Sequence, residues 1–273
     1  MSQPKVSIVI PVYRGMPHLN ALIDSLKRQT YSNMEVLASV TPAEDGSEST
    51  LKQAGIRIFH TPVGTSAAEN WTNATELATG DYTKLICQDD LLYPRAIELQ
   101  VNDLQSNPRA VMAIGQRDII DSAGKVLFHG RGLSRLKGSS IPGTQVLKQS
   151  YLYGGNVFGE PLAVLFRTEA LYSAMPWRDD NPLMLDLNTY SRVAPQGDIA
   201  LRHESVGAFR VSATSWSTTI ARHQLRQTKD WQHEYESANP TSVLDKGRAL
   251  IGRHIQTNTR RAAYAYLGAR KSL

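Results

Sequence analysis

Apolar runs and polar turns alternate with a regular beat over the first hundred residues. KVSIVIPV, residues 5–12, is a β-branched run bearing a proline, the pattern of a strand buried on both faces. GMPHLNALIDSLKRQTY then sets Leu19, Leu22, Ile23 and Leu26 at helical spacing. MEVLASV predicts a second strand, and the polar PAEDGSEST leads into a short helix stopped by Gly55. IRIFHT is a third strand, SAAENWTNATELATG a helix capped by Ser66 and closed by Gly80, and YTKLIC a fourth strand. PRAIELQVNDLQSNP, with Pro94 near its start, is the next helix. This alternation predicts an α/β fold with a mostly parallel central sheet flanked by helices.

Past residue 111 the pattern is less regular. VMAIGQRDIIDSAGKVLFHG predicts a strand, a turn at SAGK and a second strand. Residues 131–160 are rich in Gly, Ser and Tyr, and a mobile loop is expected around GLSRLKGSSIPG. LAVLFRTEAL reads as a strand entering a helix, and NPLMLDLNTYSRVAPQG as a helix carrying Asp186, Asn188, Tyr190 and Arg192. From residue 221 the chain reads as helical, interrupted at SANPTS.

In parallel α/β sheets, ligands bind beyond the carboxyl ends of the strands. PVYRG, PAEDGS and QDD all fall at that edge. The neighbouring carboxylates of Asp89 and Asp90 repel each other and resist desolvation. Two readings of the pair stand at this point. One has Asp90 accepting from free amides at the helix start near Pro94. The other has the pair holding a hard divalent cation whose shell is completed by water and substrate phosphate. AEDGSES, residues 43–49, is either a polar turn or an acceptor-rich loop for a base or ribose. Asp186 is either a surface residue pairing with Arg192 or a general base. The seven histidines show no HExxH or paired zinc spacing, and no GxSxG, Walker-A or GxGxxG motif occurs.

Composition adds limits. With 273 residues, 41% hydrophobic and 20% charged, the chain has the makings of a sizeable core and is not a disordered polymer. The single cysteine, Cys87, excludes an internal disulfide and fits a reducing compartment. No apolar run is long enough to span a bilayer and no signal-peptide pattern opens the chain, so a cytoplasmic protein, soluble or peripheral, is expected. The net charge of +5 gathers in the last third. No zinc-finger or basic-aromatic motif accompanies it, which disfavours nucleic acid as a partner. The basic, Tyr-containing tail RRAAYAYLGARKSL reads as a solvated helix or as a segment resting on an anionic membrane at its inner face.

Several of these motifs, taken in order, resemble the family 2 glycosyltransferases of the GT-A fold. VSIVIPVYRGMPHLNALIDSLKRQTYSNMEVL is similar to that family's opening strand and helix. GTSAAENWTNATELATGDYTKLICQDDLLYP is similar to its G-x-x-x-x-x-N helix, A-x-G-x-Y turn and DXD-type metal motif. LDLNTYSRV resembles the (E)DxDLWLRL segment, and ESVGAFRVSATSWS the EPLAAYRVHxxSxS segment. The likeness covers about residues 5–220.

The resemblance implies a metal-dependent, inverting transferase that moves a sugar from a nucleotide diphosphate sugar to a hydroxyl on a glycan or lipid-linked acceptor, as in polysaccharide biosynthesis. Pro11, Val12 and Tyr13 would line the base pocket, Asp45 would contact the base, and Asn70 would belong to the nucleotide site. Asp90, assisted by Asp89, would hold Mn²⁺ or Mg²⁺, Gln88 would face the ribose or sugar, and Asp186 would deprotonate the acceptor. Residues 1–125 would form the nucleotide-sugar half of one GT-A domain, 126–220 its acceptor half, and 221–273 a helical C-terminal extension. The pattern also departs from the family. Arg14 replaces a usual Asn, TPAEDGS replaces a double aspartate, Gln88 replaces the first acid of the metal motif, and Leu185 stands where Glu is common. Ser212 replaces a histidine that often supports the cation, for which His223 is a candidate substitute. These departures motivate the alternative of a catalytically inactive, nucleotide-binding scaffold. A sugar-nucleotide-forming nucleotidyltransferase is disfavoured, because PVYRG is not a Gly-rich triphosphate loop.

Overall fold

The computed structural model describes residues 3–133, 135–212 and 223–269. Strand β1 (Val6–Val12) is buried along its whole length, as its β-branched run requires. It pairs in parallel with β2 (Met34–Val40) on one side and β4 (Tyr82–Leu85) on the other, and β2 pairs in parallel with β3 (Arg57–His60). Helices α1 (Leu19–Lys27), α2 (Ser47–Gln53) and α3 (Ala67–Glu76) supply the crossovers. Alternate β1 side chains split between two cores. Val6, Ile8, Ile10 and Val12 pack with α1 and with α4 (Ala96–Ser106), while Val9 joins the opposite cluster.

Beyond β4 the ten-stranded sheet becomes mixed, in the order β3-β2-β1-β4-β9-β6-β10-β5. β9 (Val164–Arg167) runs antiparallel to β4 and to β6 (Ala110–Ile120), which runs parallel to the long β10 (Asp198–Arg210). The two-residue β5 (Leu91–Leu92) pairs antiparallel with the end of β10. The predicted turn at SAGK forms: Asp121 Oδ1 accepts from the Ala123 and Lys125 amides, Gly124 has a φ of +86°, and β7 (Val126–Arg131) returns along β6. One sheet thus carries residues on both sides of position 125. The boundary at 220 and most of SATSWS lie outside the described residues.

Helix α3 opens with the full capping box, Ser66 accepting from the Glu69 amide and Glu69 from the Ser66 amide, a device worth ~1 kcal/mol. Gly80 does not close this helix, which ends at Glu76. A Cβ at Gly80 would lie 2.6 Å from the Lys5 carbonyl, so the glycine is there to let the chain pass close to β1. The loop expected to be mobile around 132–143 is instead pinned. Leu133 and Leu136 are buried in the core, and β8 (Ser140–Pro142) pairs with β10. Here scattered leucines within a Gly- and Ser-rich stretch carry the packing, a signal that periodicity does not register.

Helix α5 (Gly143–Tyr153) and helix α7 (Leu185–Val193) lie over the core cluster that contains Val9. Short 3₁₀ turns at Pro182–Met184 and Ala194–Gln196 flank α7, so the helix is narrower than its sequence pattern. After α6 (Thr168–Tyr172), α7 and β10, the chain ends in α8 (Gln224–Ala238) and α9 (Val243–Ala269). The break between them falls at the expected SANPTS. Fully buried Lys84 in β4 donates from Nζ to the carbonyls of Leu162 (2.6 Å) and Val164 (2.9 Å). It thereby ties the turn that follows Glu160 to the strand that ends at the aspartate pair.

Candidate active site

Three neighbouring features lie at the carboxyl ends of β1, β2 and β4. The first is a cavity of about 420 Å³ lined by Tyr13, Arg14, Thr41, Pro42, Ala43 and Glu44, with Val63, Gly64 and Thr65 closing its far side. Of the expected base-contacting residues, Tyr13 lines it, half exposed, with the Arg14 guanidinium 5.2 Å from its ring centre. Pro11 and Val12 are buried in β1 and do not line the cavity. Buried Asn70 reaches the Val12 carbonyl from Nδ2 at 3.4 Å, and its Oδ1 has no partner among the described residues.

Asp45 and Gln88 grip the loop after β1 rather than facing the cavity. Asp45 Oδ2 accepts from the Ser47 hydroxyl (2.7 Å) and the Met16 amide (3.2 Å), while the Ser47 hydroxyl oxygen accepts from the Gly15 amide (2.9 Å). Burial opposes ionisation of Asp45, but these hydrogen bonds outweigh it and hold the carboxyl below its ordinary value. Glu44, not Asp45, is the carboxylate on the cavity wall. Gln88 is engaged at both ends of its amide: Oε1 accepts from the Tyr13 amide (2.8 Å) and Nε2 donates to the Tyr13 carbonyl (2.7 Å). The side chain that the resemblance points at ribose or sugar is thus committed to the Tyr13 peptide. Arg14, at the family's usual Asn position, has a φ of +52°, in the left-handed region that Asn tolerates better than Arg.

The second feature is the aspartate pair. Asp90 does not cap a helix. β5 intervenes, α4 begins only at Ala96, and Asp90 Oδ1 instead accepts from the Arg210 amide at 3.1 Å. Its Oδ2 is buried and has no hydrogen-bond partner among the described residues. The Arg210 guanidinium spans the turn, donating from Nε to the Asp89 carbonyl (2.8 Å) and from Nη1 to the carbonyls of Asp121 (3.0 Å) and Ser122 (3.2 Å). Burial drives the Asp90 carboxyl well above its ordinary range, and the adjacent Asp89 charge adds to this. Asp89 is raised mainly by burial. A buried, unpaired carboxylate oxygen beside a second carboxylate fits a hard, oxygen-seeking cation. Among the described residues no three His, Cys, Asp or Glu side chains converge into a metal-holding group, and His223 is not drawn into one. Two aspartates would therefore need oxygens from a ligand or water to complete a shell.

The third feature is the group around Asp186, which opens α7. Its Oδ1 accepts from the Leu187 amide (2.6 Å) and its Oδ2 from Asn156 Nδ2 (2.7 Å). Arg192 is occupied elsewhere, bonding Asn188 and the carbonyls of Ala174 and Pro176, so the expected Asp186–Arg192 pairing is not made. Glu160 stands close by in an ion pair with Arg117. Burial, reinforced by the Glu160 charge, pushes the Asp186 carboxyl up to about 7, in the range useful to a base at neutral pH. Burial raises the Cys87 thiol, and the charges of Asp90, Asp89, Asp186 and Glu160 all act on it.

Four participants escaped the reading of the sequence. Glu160 and Asn156 lie in a stretch with no periodic signal, and Arg117, in the predicted strand VMAIGQRDII, and Arg210, in the quoted AFRV segment, had no assigned role.

The profile of glycosyl transferase family 2 matches residues 7–173. An uncharacterized glycosyltransferase of Rickettsia bellii is 34% identical over 134 residues, 47% of this chain and 19% of that protein. The putative glycosyltransferase EpsE of Bacillus subtilis is 30% identical over 112 residues, 39% of this chain and 40% of that protein. The matched regions span only 19%, 21% and 40% of the first three curated relatives. Among solved structures, the mannosyltransferase PcManGT of Pyrobaculum calidifontis, in complex with GDP-Man and Mn²⁺, superposes with a TM-score of 0.60 at 16% identity, covering 100% of this chain and 77% of that one. S. aureus TarS in complex with UDP gives 0.61 at 14% identity, covering 82% and 65%. Glucosyl-3-phosphoglycerate synthase of Mycobacterium tuberculosis with Mn²⁺, UDP and glucosyl-3-phosphoglycerate gives 0.57 at 17% identity, covering 88% and 82%. At these identities the three structures establish the GT-A fold.

Proposed function

Because the chain belongs to glycosyl transferase family 2, we propose that it is a metal-dependent, inverting glycosyltransferase that moves a sugar from a nucleotide diphosphate sugar to an acceptor hydroxyl. The observation that carries this reading is the buried Asp90 oxygen that has no partner among the described residues, in a chain whose Asp186 carboxyl is oriented by Asn156 and the Leu187 amide and raised to about 7. The 420 Å³ cavity beside them, with an aromatic side chain and a carboxylate on its walls, suits a nucleoside.

Each group has a part in a single displacement at the anomeric carbon. The Tyr13–Arg14 step and Glu44 receive the nucleoside, on a loop held by Gln88 and by the Asp45–Ser47 pair. Asp90 and Asp89 would hold the divalent cation, which would supply charge neutralisation for the departing diphosphate. Arg210 keeps the aspartate turn in place. Asp186 takes the proton of the acceptor hydroxyl, with Asn156 and the Leu187 amide setting the direction of its oxygens. Glu160 keeps its proton affinity high, and the Glu160–Arg117 pair anchors that charge. PcManGT and the mycobacterial synthase, whose solved complexes contain Mn²⁺, support Mn²⁺ as the first ion to try. The acceptor we favour is a glycan or a lipid-linked sugar of polysaccharide biosynthesis, met at the cytoplasmic face of a membrane.

Calorimetry with UDP and GDP, with and without Mn²⁺, followed by a donor screen for nucleotide release, tests the proposal. Metal-coupled binding and release from one donor are expected. Nucleotide binding without transfer to any hydroxyl acceptor would favour the inactive scaffold instead.

A further inference from the structure

The basic C-terminal third carries a surface that the transfer chemistry does not use. Along the first half of α9, Val243, Leu244, Leu250, Ile251 and Ile255 are all exposed, Leu244 to 63% and Ile251 to 61%. At 100° per residue these five fall within one arc of about 140°, opposite Ala249, which packs inward. Single exposed apolar residues need no explanation, but five on one helical arc do.

The charges around the arc are one-sided. Arg248, His254 and Arg261 are exposed beside it. The only carboxylate of α9, Asp245, is turned toward α5, where it meets Lys148 at 2.9 Å. Lys246 leans to Glu236 of α8 at 3.4 Å. The exposed arc itself therefore offers large apolar side chains and cations but no acid. It is convex, a helix face rather than a groove. Among the described residues no helix is long and apolar enough to cross a membrane. A basic amphipathic helix of this kind lies along a bilayer, its apolar side chains among the acyl boundary and its cations at anionic headgroups.

We propose that the Leu244–Ile251–Ile255 face of α9 docks the enzyme on an anionic lipid bilayer. This moves the membrane contact from the terminal RRAAYAYLGARKSL toward the start of α9.

Co-sedimentation of the full chain with phosphatidylcholine vesicles, with and without phosphatidylglycerol, tests the docking. Wild type is expected to bind the anionic vesicles, to prefer them over neutral ones, and to release as salt rises. Leu244→Ser/Ile251→Ser/Ile255→Ser should weaken binding by roughly tenfold or more. Arg248→Glu/Arg261→Glu should remove the preference for anionic lipid. All substituted positions are exposed, so unchanged melting and unchanged nucleotide affinity will show that the variants fold. Failure of wild type to bind anionic vesicles overturns the proposal, as does equal binding by the triple serine variant. So does a dimer in analytical ultracentrifugation that the triple variant dissociates while vesicle binding stays absent. Vesicle binding with no transferase activity would leave the docking intact and count against the proposed reaction alone.

Discussion

Asp186→Asn separates chemistry from binding. The replacement keeps the size of the side chain and an oxygen able to accept from the Leu187 amide or Asn156, and it removes the proton acceptor. For kcat, a loss of about 10²–10⁴-fold is expected, with nucleotide affinity unchanged. Stability should move in the opposite direction. Burial and Glu160 raise the carboxyl from 3.8 to about 7, so the fold favours its protonated form. Stability from this group is fully present below the unfolded value near pH 4, falls as pH climbs, and is lost by about pH 7. About three pKa units correspond to about 4 kcal/mol; since the residue is partly open to solvent, ~2 kcal/mol is the better expectation. Asp186→Asn should therefore be more stable than wild type at pH 8 by that amount and nearly equal to it at pH 4. Wild-type kcat/KM should rise with pH and level off above about 7, as the buried Asp186 loses its proton in the field of Glu160 and Arg260. Glu160→Gln should move that rise toward lower pH. Donor-saturated kinetics across pH 5.5–8.5 and thermal melts at both pH extremes make the measurement. Transfer by the Asn variant within a few-fold of wild type, or a flat pH profile, would refute the assignment.

Asp90→Ala should leave the protein folded and abolish the Mn²⁺ dependence of nucleotide binding; calorimetry showing the same metal enhancement in the variant would exclude Asp90 as the ion's ligand. Gln88→Ala removes both hydrogen bonds to the Tyr13 peptide, each worth ~1 kcal/mol, and should weaken UDP or GDP binding about tenfold by loosening the loop. An unchanged Kd would show that the loop holds its shape without that amide. Arg14→Asn relieves a side chain held at φ +52° and should stabilise the ligand-free protein by ~1 kcal/mol, read as a higher Tm; a lower one would mean the guanidinium contributes more than the backbone strain costs.

The local elements were legible because each has its own short-range cause. The β-branched run of β1, the Leu19–Leu26 spacing of α1, the Ser66 cap and the turn at SAGK act within a few residues, and all of them form as expected. The convergence of PVYRG, PAEDGS and QDD on one edge followed from strand alternation alone, and the ordered motifs identified the family. What side chains do at that edge depended on contacts between residues far apart in the chain. Gln88 meets Tyr13 across 75 positions, and the Arg210 amide meets Asp90 across 120. Glu160 came beside Asp186 because Lys84 fastens the turn between them to β4. No periodicity encodes such meetings, since they are set by how the sheet stacks its strands. The sequence by itself determined that two aspartates follow β4. Only the tertiary structure decided that one of their oxygens would be buried with no partner among the described residues, and that burial, reinforced by Glu160, would raise the Asp186 carboxyl to about 7.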